Sequence, residues 1–278
     1  YMEKTLNGTV VEWHRYEYNE SNQLISPETL NAIKRATDAG KTVILCTGRN
    51  LAELNAFTEI IPGLRYLDCV SGACVYDLKE KKTLYSQALD PGIVKKLMEF
   101  GMEDGAMIHV LSERSIVQKD QQSHMADFHM GIYQTMFDQI TDKLENIYNS
   151  FCEEPFPVLK LNLYHRDEAS RARTVERIKA AGLETALALA ESTSLECSAK
   201  GIDKGVGLKK LCEHLGLPLE QTIAVGDADN DTMALKTAGL AVAMGNATEP
   251  IKALADVIVA DCDHNGCAEA IDKYLLAD

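Results

Sequence analysis

Three carboxylates fall within five residues in the segment TIAVGDADNDTM at 222–233: Asp227, Asp229 and Asp231. Carboxylates this close repel one another unless a cation or hydrogen-bond donors compensate. Oxygen-only ligands suit a hard ion such as Mg2+, which takes one or two protein carboxylates and leaves positions for water and phosphate oxygens. An acidic start to the following helix, favoured by the helix dipole, also accounts for Asp229 and Asp231. It does not account for Asp227, which directly follows an apolar strand-like run.

Two further clusters have chemical potential. Thr47-Gly48-Arg49 ends the apolar run TVILC. A hydroxyl and a backbone N–H at that point can both donate to a phosphate oxygen. A plain strand-to-helix turn uses the same residues. Lys204, in AKGIDKGVGL, stands at the start of a helical stripe. A cation is unfavourable there against the helix dipole, so it is expected to answer local negative charge. The alternative is a solvated surface lysine. The segment CDHNGC at 262–267 holds soft ligands without a second pair nearby, which makes a poor zinc site. His124 and His129, with Asp127 between them, are either substrate contacts or surface histidines.

The elements that would position these clusters alternate. Ser26-Pro27-Glu28 has the form of a helix N-cap, a proline at the first helical position and an acid in the first turn. Leu30, Ile33 and Ala36 follow at helical spacing, Gly40 stops the helix, and the run TVILC reads as a buried parallel strand. The C-terminal third repeats this order: a stripe at Leu208, Leu211, Cys212 and Leu215, then short strands entering Gly226 and Gly245. Alternation of this kind predicts a doubly wound parallel-sheet α/β core, with ligands at the carboxyl ends of the strands.

The middle differs. Residues 106–111 and 115–118 flank a polar turn, which predicts a hairpin. LKLNL at 159–163 alternates apolar and polar residues, as in a strand with one wet face. Asp167 caps a helix carrying Ala172, Val175 and Ile178. We expect an inserted α+β cap domain at 83–190 and a core domain from 1–82 and 191–278.

The chain has 278 residues, 46% of them hydrophobic, enough for a substantial core. The net charge of −14 argues against nucleic acid. The cysteines at 46, 69, 74, 152, 197, 212, 262 and 267 include several in apolar runs, as small buried hydrophobes in a reducing compartment. With no apolar run of membrane-spanning length and no leader, no membrane association and a cytoplasmic location are expected.

In this order and spacing, the three clusters resemble the haloacid dehalogenase-like (HAD) phosphatases, in particular the Cof-type branch with a large inserted cap. The resemblance runs from about residue 24 to the C-terminus. VILCTGR matches the second family motif at Thr47, Lys204 the third, and GDADND the fourth at Asp227, Asn230 and Asp231. VSGACVYD at 70–77 is similar to the family's Asn-Gly-Ala segment, with Ser71 in place of asparagine, and AMGNA at 243–247 also fits.

The resemblance implies a Mg2+-dependent phosphatase of small phosphorylated metabolites. An aspartate attacks the phosphomonoester, and a second aspartate two residues on serves as acid and base. It further implies that Thr47, Gly48, Lys204 and Asn230 hold phosphate, that Asp227 holds the metal, and that Thr47, Lys204 and Asp231 belong to the catalytic set.

The first motif, Asp-x-Asp-Gly-Thr, is absent. By pattern the best match is Thr5-Leu6-Asn7-Gly8-Thr9, with Thr5 at the nucleophile position and Asn7 at the acid/base position. By distance to Ile25-Ser26-Pro27 it falls instead at Glu12-Trp13-His14-Arg15-Tyr16. Asparagine is no general acid or base, and the Thr5 hydroxyl has no evident activating base. Three explanations stand: a non-catalytic binder of phosphate ligands on the same fold, a different nucleophile, or a shifted reading frame over residues 1 to about 20.

Overall fold

The computed structural model describes residues 8–12, 25–190 and 193–277. In chain order the strands begin with β1 (Gly8–Glu12), β2 (Thr42–Cys46), β3 (Tyr66–Cys69), β4 (Cys74–Asp77) and β5 (Lys82–Ser86). They continue with β6 (Met107–Leu111), β7 (Ser115–Gln118), β8 (Thr141–Leu144), β9 (Lys160–Tyr164), β10 (Thr185–Ala190) and β11 (Ser194–Ala199). The last are β12 (Ile223–Gly226), β13 (Leu240–Ala243) and β14 (Val257–Ile258). The chain divides into two compact units, one of residues 1–48, 56–86 and 203–278, the other of 49–55 and 87–202.

The first unit holds an eight-stranded sheet in the order β14-β13-β12-β1-β2-β3-β4-β5. Its strands from β14 to β3 are parallel, and β4 and β5 return antiparallel. A parallel strand covered on both faces needs a continuous apolar run, and β2 has one, with Val43 to Cys46 all buried. The preceding helix, Pro27–Asp38, starts as its sequence requires: Ser26 Oγ accepts from Thr29 N at 3.2 Å and Pro27 takes the first turn. Its buried stripe is Thr29, Ala32, Ile33 and Ala36. Ile44, Cys46, Tyr66 and Val75 pack with Leu208, Leu211 and Cys212 of the helix Lys204–Leu215.

The second unit holds a six-stranded sheet in the order β10-β11-β9-β6-β7-β8. All its pairings are antiparallel except β7 with β8, and β6 and β7 form the expected hairpin, Leu111 opposite Ser115. Helices Pro91–Glu103, Ile147–Glu153 and Glu168–Ala180 supply Val94, Leu97, Met98, Phe151 and Ile178 to its core. The core-and-cap architecture read from the sequence is therefore present. The second unit extends past the expected boundary at 190, because β11 pairs with both β9 and β10.

One expectation is corrected. The alternating strand has no wet face, since every residue of β9 is buried, including Lys160 and Asn162. These polar residues are covered: Lys160 Nζ donates to Glu196 Oε2 at 3.0 Å and Asn162 Nδ2 to Tyr164 Oη at 3.1 Å, while Asn162 Oδ1 has no hydrogen-bond partner. Cys262, by contrast, is exposed. No helix among the described residues is long and apolar enough to cross a membrane.

His109 lies in the same second sheet, 1% exposed, and burial pushes its imidazole down from 6.5 to about 3. Between those values the unfolded chain takes a proton that the folded chain refuses, so stability falls as pH falls through 6.5 toward 3. The slope reaches about 1.4 kcal/mol per pH unit. Burial raises the neighbouring Glu53 carboxyl, which acts in the opposite direction at the acid end of the range. Denaturant unfolding at pH 6.5 and pH 5 is expected to show the wild type losing about 1–2 kcal/mol, and H109Q losing less.

Candidate active site

The three clusters converge on the carboxyl edge of the first sheet, where an open α/β sheet binds its ligands. Thr47 follows β2 and is buried, 7% exposed. Its N–H donates to Asp68 O at 2.8 Å and its carbonyl accepts from Ser71 N at 3.0 Å. Those two bonds tie the turn after β2 to the turn after β3. Val70 and Ser71 both adopt positive φ, 54° and 56°. That conformation is costly for a β-branched residue and is often retained where a turn has a task.

The GDADND turn is ordered by Asp231, which is fully buried. Its Oδ2 accepts from the N–H groups of Asp227 and Ala228 at 2.8 and 2.9 Å. Its Oδ1 accepts from Lys204 Nζ at 2.8 Å, in an ion pair with both side chains 0% exposed. Lys204 opens its helix, as expected, behind the N-cap Asp203. Burial pulls its ammonium below the usual lysine range, while Asp231 and then Asp227 push the other way. The surface-lysine reading is thereby excluded.

Two glycines let that helix seat so deeply. A Cβ on Gly205 would stand 2.5 Å from Met233 O, and one on Gly207 would stand 2.0 Å from Asp68 Oδ1.

The other members of the turn differ in environment. Asp229 is exposed, consistent with plain helix-start charge, whereas Asp227 and Asn230 are half-buried. Asn230 Oδ1 is buried and has no hydrogen-bond partner. Asp227 Oδ2 accepts from Asn246 Nδ2 at 2.7 Å, and Asn246 Oδ1 accepts from Cys262 N at 3.0 Å. Asn246 thus braces the carboxylate. Sequence reasoning noted AMGNA without giving it a role, and its position just past β13 was the available signal.

Asp68 was missed altogether. It is fully buried, receives a bond from Cys46 Sγ at 3.0 Å, and burial holds its carboxyl well above the usual range. His124 and His129 are exposed and bond to the backbone oxygens of Asp120 and Arg166.

The central strand sharpens the question of the first motif. β1 lies between β12 and β2, with Val11 opposite Val225 and Glu12 opposite Cys46. Its carboxyl end therefore falls between the Thr47 turn and the Asp227 turn. The distance-based match, starting at Glu12, is the one that falls at this end of the strand. Thr5 and Asn7, the pattern-based match, precede β1 and lie outside the described residues, as do residues 13–16. Among the described residues no three His, Cys, Asp or Glu side chains gather as a ready metal site. The half-buried carboxylate of Asp227 remains a fit for Mg2+, which needs few protein ligands.

Residues 6–271 match the family model of haloacid dehalogenase-like hydrolases. The chain is 28% identical over 259 residues to a 5-amino-6-(5-phospho-D-ribitylamino)uracil phosphatase, YcsE of Bacillus subtilis, covering 91% of this chain and 90% of that one. It is 26% identical to pyridoxal phosphate phosphatase YbhA of Escherichia coli, covering 90% and 92%. Among solved structures, the HAD subclass IIB sugar phosphatase BT4131 shares the fold with a TM-score of 0.80 at 20% identity, covering 98% of this chain and all of that one.

Removing one member of a buried ion pair strands the other, at a cost of about 3–5 kcal/mol. D231N retains a carbonyl for the turn but sets an amide donor against Lys204. Thermal and urea unfolding should show a loss in that range, and a smaller loss in K204M/D231N than in D231N alone.

Proposed function

The chain belongs to the haloacid dehalogenase-like hydrolases, and on that premise we propose that its site binds phosphomonoesters of small metabolites for Mg2+-dependent hydrolysis. The observation that carries this reading is the buried Lys204. A desolvated cation at the carboxyl edge of a parallel sheet, beside a carboxylate-rich turn, is arranged to meet an anion.

In this reading Thr47 Oγ1 and Gly48 N–H donate to phosphate oxygens, and the ammonium of Lys204 opposes the negative charge that develops on them. Such a donor acts strongly because burial has already removed its water and fixed its position. Asp231 holds Lys204 at its post and fixes the backbone of Asp227 and Ala228. Asp227 would hold Mg2+, which supplies Lewis-acid neutralisation of the phosphate when bound, while Asn230 beside it would face the phosphate. Asn246 keeps the Asp227 carboxylate in one orientation.

The nucleophile is the weak link. Family chemistry forms an aspartyl-phosphate, yet no aspartate precedes Asp38 in this chain. That observation favours a second reading, in which the literal chain binds phosphate ligands without turning them over. Both readings require phosphate binding. They part on turnover.

Hydrolysis of p-nitrophenyl phosphate, measured with and without Mg2+, separates them: a Mg2+-stimulated rate supports the phosphatase, and its absence with phosphate binding intact supports the binder. D227N is expected to weaken Mg2+ binding at least about tenfold, an energy near 1.4 kcal/mol, in a calorimetric titration. An unchanged affinity would place the ion elsewhere.

A further inference from the structure

We propose that β10, the outer strand of the second sheet, pairs with β10 of a second copy of this chain about a twofold axis, so that the protein forms a weak dimer through that edge. The pairing lies within the second unit and makes no use of the chemistry at the first sheet.

A sheet edge presents unpaired N–H and C=O groups, and folded proteins blunt such edges with charge, bulges or short strands. Among the described residues the two sheets have four edges, and three are treated in that way. β14 is only two residues long. β5 opens on Lys82, and its pairing with β4 shifts register after Val75. β8 carries Asp142 and Lys143, which form ion pairs with Arg114 and Asp138.

The fourth edge has none of these devices. β10 reads TALALA, with no charge, proline or glycine. It pairs with β11 at all six residues without a shift, and Thr185 Oγ1 donates to Ser198 O at 2.6 Å, so the strand is held straight. Glu184, immediately before it, is ion-paired with Lys200 at 2.5 Å. Among the described residues no strand pairs with its outer side. The apolar face of the sheet also ends uncovered there. Leu187 packs against the core under the helices, and Leu195, directly opposite Leu189, is 0% exposed. Leu189 itself is 63% exposed. The helices therefore cover β11 and stop short of the end of β10.

Charge and symmetry select the occupant. The chain carries a net charge of −14, so two copies repel, and an uncharged edge is where their approach costs least. Antiparallel pairing of identical strands about a twofold axis satisfies both edges at once and closes at two copies. An axis perpendicular to the sheet keeps its faces in register, so the leucine-bearing faces meet. With the axis at Leu187, Leu189 stands opposite the partner's Thr185. With the axis at Ala188, it stands opposite the partner's Leu187. On either register the bare leucine gains an uncharged neighbour on its own face. A seam of six residues a side is well short of the roughly 20–30 residues of a standard interface, so the dimer is weak. Its Kd is expected at about 10–100 μM.

Sedimentation velocity of the full chain, from well below to well above that Kd, should show monomer passing to dimer and no larger species. Added salt should tighten the dimer, because it screens the repulsion between copies and the seam has no ion pair to lose. L189K changes an exposed side chain and should weaken the dimer at least about tenfold. A188K, also at an exposed position, serves if circular dichroism shows L189K unfolded. In hydrogen exchange, amides of β10 should slow as protein concentration rises while those of β8 stay unchanged.

A monomer throughout the range overturns the proposal and leaves the edge to some other protein. A dimer unmoved by the lysine, one loosened by salt, or protection that rises away from β10 also overturns it. Growth into larger assemblies does the same, since it would make the edge a template for open-ended pairing.

Discussion

The ion pair between Lys204 and Asp231 is the constraint on which the rest of the first unit depends. Both side chains are fully buried, and a buried pair is seldom a net gain over apolar packing, because each charge gives up its water. Its retention makes sense where a charge must be kept in a fixed place. The pair dictates its surroundings. The lysine sits at a helix start against the dipole, which the Asp203 cap and Asp231 offset. The helix must approach closely, which Gly205 and Gly207 allow. The second oxygen of Asp231 is left to order the turn that presents Asp227.

From that anchor the site extends across strand ends. Parallel pairing of β12, β1 and β2 brings the Asp227 turn and the Thr47 turn to the same edge, on either side of the last residue of β1. Asn246 adds the turn after β13, and Asp68 and Ser71 add the turn after β3. The groups gathered at this edge thus come from separate segments of the chain. On the resemblance to the family the nucleophile would come from a further segment, and no aspartate precedes Asp38 in this chain. In the proposed reading, binding and turnover are separable in physical terms: the first rests on Thr47, Gly48 and Lys204, while the second needs a carboxylate that those residues do not replace.

The second unit uses the two-residue period of its strands to keep two chemistries apart. One face is an apolar core and the other a directed polar network, with the sheet between them. Its covered polar face departs from the usual half-wetted antiparallel sheet, so its polar side chains bond largely to one another.

What the sequence determined by itself was local. The Ser26-Pro27 cap, the apolar run of β2, the strand-to-Gly226 step and the Lys204 helix start were legible because each is set by neighbours within a few residues. The two-unit architecture followed from alternation in one part of the chain and its absence in another. The placement of Asp227 after a buried strand was legible for the same reason.

Tertiary structure decided the partners. Nothing in AKGIDKGVGL says that Lys204 is wholly buried, because its partner Asp231 lies 27 residues away. Nothing in LKLNL says that Lys160 and Asn162 are covered, since alternation predicts a wet face and burial is set by what packs on it. The register of β1 likewise comes from pairing, since Val11 lies opposite Val225 and Glu12 opposite Cys46 on strands far away in the sequence. The GDADND segment announced acidic chemistry at once. The division of labour within it, with Asp231 inside as a brace, Asp227 at the edge and Asp229 in solvent, is a matter of which oxygens meet donors, and only the folded chain brings those donors to them.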